Sequence, residues 1–325
     1  MTKAAACAAI AFSLSLTQWA RAAGTEVGPG SRLFDHAVET HVKDYKELTL
    51  FLLKPESGKM KGVMCVCMLG KGPDDVRAQL LGTSDRRTSS SALEFAAERN
   101  LAVVAWAARR LWDPSRNWDE LQKAERKKIA ANFELVSKAW DKGIKFFVNK
   151  HGRPESGYLM IGSSAAAQFA QRLALRCPKR FLAVHAHIAS SFDIPVKNAS
   201  SLLWCVTTGE NELGYIRSRR FFRAAREMRY PIVYKAYPGL GHAGSAMVSA
   251  LGFACFDYAL KEYAQATKLN DGKPTMPNWA EIFESSAFVA DVVHQRVYPK
   301  SDEAWVPAEF RMNLPEPLRD MWNVE

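Results

Sequence analysis

The sequence has little cysteine, no long apolar run and no repeated block. Six cysteines occur among 325 residues, and none has the Cys-x-x-Cys spacing of a zinc site or a thioredoxin-like centre. Past the first 22 residues five remain, an odd number that leaves at least one thiol free unless chains pair. Cys65 and Cys67 alternate along an apolar run. They share a face about 6.6 Å apart, at the far limit for a disulfide and badly aimed, so they are expected as small core residues. No later stretch reaches the roughly 20 apolar residues needed to cross a bilayer, so the mature chain is expected to be soluble. The 19 glycines and 15 prolines show no period, which excludes collagen-like and coiled-coil chains. Nor is there a nucleic-acid-binding motif to accompany the formal net charge of +10. The densest basic stretches, Arg126-Lys127-Lys128 and Arg217-Ser218-Arg219-Arg220, fall within helical periodicity, where solvated faces are the usual explanation. Nucleic-acid binding is therefore not expected, while an acidic polymer or an anionic envelope surface stays open as a partner.

What is present begins with the pattern of a leader. Lys3 supplies a basic start, Ala4 to Leu16 a short apolar segment, and Ala20-Arg21-Ala22 a small-x-small cleavage site. This is the pattern of a signal peptide over residues 1–22, and it predicts a secreted or periplasmic protein. Cys7 precedes most of the apolar segment, so lipid attachment there is not expected.

From residue 45 onward the hydrophobic pattern alternates between strand and helix. Strands are expected at Leu48 to Leu53, Gly62 to Leu69, Leu101 to Ala107, Gly157 to Ile161, Phe181 to His187, Leu202 to Thr208 and Ile232 to Tyr237. Helices are expected at Ser91 to Arg99, Ala124 to Lys150, Ala165 to Leu175, Tyr215 to Met228 and Ser245 to Ala264. Most of these strands are apolar throughout, so both faces must be covered, and helical connections force parallel pairing. The expected fold is a doubly wound, mostly parallel α/β sheet over residues 23–269. Beyond Asn270 the rhythm stops, and prolines punctuate a tail that carries Trp279, Phe283, Phe288, Trp305 and Trp322. Those aromatics argue against disorder. Residues 270–325 are expected to be an irregular extension packed on the main domain.

In such sheets ligands bind beyond the C-terminal strand ends. The strand at Leu159 to Ile161 runs into Gly162-Ser163-Ser164-Ala165-Ala166 and then a helix. This is a variant of the Gly-x-Ser-x-Gly elbow, which exposes a serine hydroxyl above the sheet on a strained strand-to-helix turn. Strand and helix cross there, so positions two before and two after the serine must be small. The helix N-terminus favours developing negative charge. A serine hydroxyl needs a base, and the base an acid that holds its tautomer. His242, in Tyr237-Pro238-Gly239-Leu240-Gly241-His242 after the last strand, is the histidine placed to be that base. The strand at Leu202 to Thr208 ends in Gly209-Glu210-Asn211-Glu212, which offers Glu210 and Glu212 as acids.

With these residues in this order the chain resembles the α/β-hydrolase superfamily, especially its secreted esterase and polyester-depolymerase-like members. The resemblance spans about Leu48 to Ala264. It implies an α/β-hydrolase fold, with Ser164 as nucleophile, Glu212 as acid and His242 as base. Ala166 replaces the usual second glycine of the elbow. Glutamate stands where aspartate is commoner, which keeps Glu210 and Asp193 as rival acids. The resemblance also implies an oxyanion hole made by the backbone N–H groups of Ala165 and of Lys71, in Leu69-Gly70-Lys71-Gly72. The histidine that usually precedes that glycine is replaced by Leu69. The activity implied is hydrolysis of a small-molecule or polymeric ester through an acyl-serine, with no cofactor and no metal. A binding protein that keeps the fold but has lost catalysis is the competing class, supported by Ala166, the missing histidine and the unsettled acid. The substrate is not readable from these residues.

Three other features have ordinary readings. His185 and His187 share a strand face at a spacing that two metal ligands can use, but no third ligand is evident and a structural role is expected. Trp106, Trp112 and Trp118 could wall a substrate pocket, with core and loop packing as the alternative. Asn198-Ala199-Ser200 matches a glycosylation sequon too short to carry weight.

Overall fold

A computed structural model describes residues 25–26, 31–43, 45–55, 60–68, 72–83, 90–107, 122–243 and 246–323. The predicted leader lies outside these residues, as do Lys71, Trp112 and Trp118.

The chain opens with three strands, β1 (Thr25–Glu26), β2 (Ser31–Val42) and β3 (Tyr45–Pro55). It continues through β4 (Val63–Met68), α1 (Pro73–Leu80), α2 (Ser90–Glu98), β5 (Ala102–Ala107), α3 (Lys123–His151), β6 (Tyr158–Ser163) and α4 (Ala165–Arg176). Then follow β7 (Phe181–His187), β8 (Leu203–Gly209), α5 (Tyr215–Glu227), β9 (Ile232–Tyr237) and α6 (Ala246–Leu269). The first nine strands form one sheet in the order β1-β2-β3-β5-β4-β6-β7-β8-β9. The pairs at the β1 end, up to β3 with β5, are antiparallel. From β5 to β9 every pair is parallel.

The parallel part follows from composition. Every residue of β4, β7, β8 and β9 is buried, as strands covered by helices on both faces must be. The long helix α3 starts with a reciprocal cap, in which Glu125 accepts the Gln122 N–H at 2.9 Å. It lies close on the antiparallel end, because a Cβ at Gly143 would drive into the side chain of Leu50. β5 lies on one side of β4 and β6 on the other. The winding therefore reverses there, and such a point opens a crevice at the C-terminal ends of the two strands.

Before residue 270, β1, β2 and α1 lack a counterpart in the sequence expectations, and the tail expected to be irregular forms helices and a small sheet. β2 mixes buried, half-buried and exposed positions, and Arg32, Asp35, His36 and Glu39 interrupt its apolar residues, so its first half shows no clean alternation. α1 spans only eight residues, too few to display a helical period. Trp106 is fully buried and packs edge-on against Trp140, at 5.9 Å between ring centroids. It belongs to the core and not to a pocket wall.

Residues past 270 pack on the β9 edge. They form α7 (Trp279–Glu284), a three-stranded antiparallel sheet of β10 (Phe288–Asp291), β11 (Arg296–Pro299) and β12 (Arg311–Leu314), and α8 (Glu316–Trp322). An outermost strand exposes N–H and C=O groups that must find partners. Here the Tyr234 N–H donates to Met312 Sδ at 3.0 Å and the Tyr234 carbonyl accepts from the Trp322 indole at 2.9 Å. Lys235 donates to the Trp322 carbonyl. Trp279 and Trp322 are buried, whereas Trp305 is 79% exposed.

Candidate active site

Ser164 sits between β6 and α4 with φ 56° and ψ −125°, a left-handed backbone that a non-glycine residue adopts only where its surroundings impose it. The crossing of strand and helix supplies that constraint. A Cβ at Gly162 would lie 2.6 Å from the Ala166 carbonyl carbon and 2.8 Å from the Ala167 nitrogen. Gly162 thus faces the backbone of Ala166, and the second small position accommodates a methyl, fully buried. The turn is pinned from the neighbouring strand, where the His187 carbonyl accepts the Ser164 N–H at 2.9 Å. Ala165 opens the helix, so its N–H is one of the donors that no intrahelical carbonyl reaches.

The loops after β8 and β9 are laced together over Gly209. The Glu210 N–H bonds to the Tyr237 carbonyl at 3.1 Å, the Asn211 N–H to the Leu240 carbonyl at 3.0 Å, and the Asn211 side chain to the Gly239 carbonyl at 3.2 Å. Gly239 makes the bend with φ +70°, which glycine adopts without strain.

These loops bring three of the sequence-predicted residues together. His242 Nδ1 lies 2.9 Å from Glu212 Oε2, and His242 Nε2 lies 2.9 Å from Ser164 Oγ. The Glu212 side chain is 4% exposed and that of His242 is 52% exposed. A carboxylate accepts only, so the neutral ring carries its proton on Nδ1 and turns the Nε2 lone pair to the serine hydroxyl. Such an arrangement can take the serine proton as the oxygen attacks, with the new positive charge on the ring facing a buried anion.

The rival acids lie elsewhere. Asp193 pairs with Arg172 at 2.9 Å and with Arg176 at 3.9 Å, and Glu212 rather than Glu210 is the carboxylate bonded to His242. Lys71, expected as the second oxyanion donor, is outside the described residues.

His185 and His187 are buried and share one partner. Thr207 Oγ1 lies 2.9 Å from His185 Nε2 and 2.9 Å from His187 Nδ1. Burial pushes His185 down to about 3 and also lowers His187. Among the described residues no group of three His, Cys, Asp or Glu side chains is placed to hold a metal ion. The thiols of Cys65 and Cys67 are buried and raised by that burial, and among the described residues no helix is long and apolar enough to cross a membrane.

No protein-family model matches the chain, and no curated protein matches it in sequence. Solved structures do. A Bacteroides ovatus protein assigned as a dipeptidyl aminopeptidase IV aligns with 12% identity and a TM-score of 0.51, over 71% of this chain and 36% of its own. A ferulic acid esterase aligns with 13% identity and a TM-score of 0.49, over 71% of this chain and 98% of its own. An S-formylglutathione hydrolase from Agrobacterium tumefaciens gives 14% and 0.49, over 73% and 96%. At such identities the likeness concerns architecture. With the strand order above, it gives the chain an α/β-hydrolase fold with a small antiparallel sheet in its C-terminal region.

Proposed function

We propose that this chain is an exported serine hydrolase that cleaves carboxylic esters through an acyl-serine intermediate. The observation that carries the reading is the unbroken line from Glu212 through His242 to Ser164, closed by two contacts of 2.9 Å. His242 takes the Ser164 proton as Oγ adds to the ester carbonyl. The tetrahedral oxyanion is held by the Ala165 N–H, with Lys71 as the second donor that the family resemblance implies. Collapse expels the alcohol, which takes the proton from His242, and leaves Ser164 acylated. Water then gives a proton to the same ring as it adds to the acyl carbon, and collapse breaks the bond to Oγ, which takes that proton back from His242 as the acid leaves.

The strained backbone of Ser164 supports this reading over a binding site that has lost catalysis. Strain of this kind, typically 1–3 kcal/mol, persists where the surrounding structure enforces it and clusters at functional sites. The test is hydrolysis of a panel of short activated esters by wild type and by Ser164→Ala. Turnover by wild type alone supports the reading, and equal background rates from both proteins overturn it. Export is tested by sequencing the N-terminus of the protein recovered from the periplasm or medium, where a start at Ala23 is expected and a retained Met1 contradicts it.

A further inference from the structure

The geometry points to His187 as a positioning residue that ties the nucleophile turn to the loop bearing the base. The inference rests on the serine-hydrolase reading above. His187 ends β7, next to the elbow strand, and it acts in two directions. Its carbonyl accepts the Ser164 N–H at 2.9 Å. Its ring nitrogen Nε2 lies 3.0 Å from the carbonyl oxygen of Ala243, the residue after His242. One residue therefore fixes the backbone at Ser164 and the backbone beside His242.

The Ala243 carbonyl sets a direction for the protons on this buried array. A carbonyl cannot donate, so His187 carries its proton on Nε2 and gives it to Ala243. Burial lowers His187 against the raising effect of the Ala243 and Thr207 carbonyls beside its ring, and the neutral ring with Nε2–H given to Ala243 presents Nδ1 as an acceptor. The Thr207 hydroxyl donates to it, so the Thr207 oxygen is left to accept from His185 Nε2. His185 then has no proton on Nδ1, and that nitrogen is buried without a hydrogen-bond partner. The assignment is self-consistent, because an unpaired bare nitrogen is tolerated better there than an unpaired N–H. Gly252 is needed at that point, since a Cβ would run into the His185 ring. The run His185, Thr207, His187, Ala243 thus has one direction of donation, and it ends on the loop that carries the base.

This explains the two histidines without a metal. Neither ring touches the reacting atoms, so the role is positional. A displacement of about 1 Å at a reacting group lowers rates by roughly 100-fold, and the His187 tie is built to prevent it.

The test compares wild type, His187→Leu and His187→Gln in steady-state hydrolysis of a short activated ester, in labelling of Ser164 by a fluorophosphonate, and in thermal melts. Folded His187→Leu is expected to lose roughly 10- to 100-fold in kcat with KM unchanged, and labelling is expected to slow by a similar factor. His187→Gln keeps an N–H that reaches the Ala243 carbonyl and is expected to recover most of the rate, a rescue that a purely space-filling role would not give. Wild-type rates in the Leu variant, or equal impairment of both variants, overturn the proposal while leaving the hydrolase reading intact. Should His187→Leu fail to fold, Thr207→Val against Thr207→Ser decides. A several-fold lower kcat in the Val variant alone supports the tie, and equal rates overturn it. If wild type itself neither turns over ester nor labels, the hydrolase reading fails and this inference falls with it.

Discussion

Gly209 and Leu240 touch so closely that any side chain at 209 would enter the Leu240 carbonyl. The contact sets the acid loop against the base loop. A Cβ there would also lie 2.9 Å from the Gly241 carbonyl oxygen, one residue before His242. Gly209→Ala should therefore displace His242 while the sheet stays folded. The expected result is a loss of roughly 10- to 100-fold in kcat on a short ester with little change in KM. An unchanged kcat would show that the loops do not need this approach.

The choice among the acids gives a second prediction. Glu212→Gln removes the charge behind His242 and should lower kcat by about 10²- to 10⁴-fold. Glu210→Gln should stay within about threefold of wild type, the range expected of a side chain outside the hydrogen-bonded line. Asp193→Asn should instead act on stability, by about 1–3 kcal/mol in chemical unfolding, because it weakens the pairing of the buried Arg172 guanidinium. A larger kinetic effect from Glu210 than from Glu212 would reverse the assignment.

Acid should unfold the protein through its buried imidazoles. His185 is held down to about 3, and His187 below its ordinary value, by burial. The unfolded chain takes up these protons near pH 6.5, so below that pH it binds more protons than the native state. Stability from these rings is full above about pH 6.5 and falls as pH drops towards the folded values, by at most about 1.4 kcal/mol per pH unit for each ring. Urea unfolding between pH 7 and 4 should show a shallower decline in His185→Gln than in wild type. Parallel declines would contradict the buried, neutral state of this ring.

Trp322 offers a test of how the C-terminal residues serve the fold. Its indole donates to the Tyr234 carbonyl on the outer edge of β9. Trp322→Phe, which keeps most of the ring and loses the donor, should cost about 1 kcal/mol, and Trp322→Ala about 3–5 kcal/mol. Both are read from urea midpoints. Loss of ester turnover in the Phe variant at full folding would show instead that this residue acts on the site.

Much of this architecture is legible in the sequence because its signals are local. Val63–Met68 and most of Phe181–His187 are apolar runs of strand length, which read as strands covered on both faces, and the small residues around Ser164 mark the crossing that strains it. The order serine, acid, histidine is likewise visible once each is seen to follow a strand, although only the family resemblance prefers Glu212 to Glu210. What escapes the sequence depends on distant contacts. β2 hides because its half-buried residues mix charge with apolar groups. Trp106 follows the same pattern as a pocket residue until Trp140 and Phe169 are seen around it. The tie from His187 to Ala243 joins residues 56 positions apart and depends on a ring orientation that no spacing encodes.

The proposed chemistry rests on His242 making the Ser164 hydroxyl reactive. Intact-mass analysis and peptide mapping after exposure to an aryl fluorophosphonate report that reactivity at a single atom. Wild type should gain one adduct, on the peptide containing Ser164. Ser164→Ala should gain none, and His242→Ala should label about 10³-fold more slowly. An unmodified wild type, or an adduct of equal yield in Ser164→Ala, would contradict the proposed mechanism.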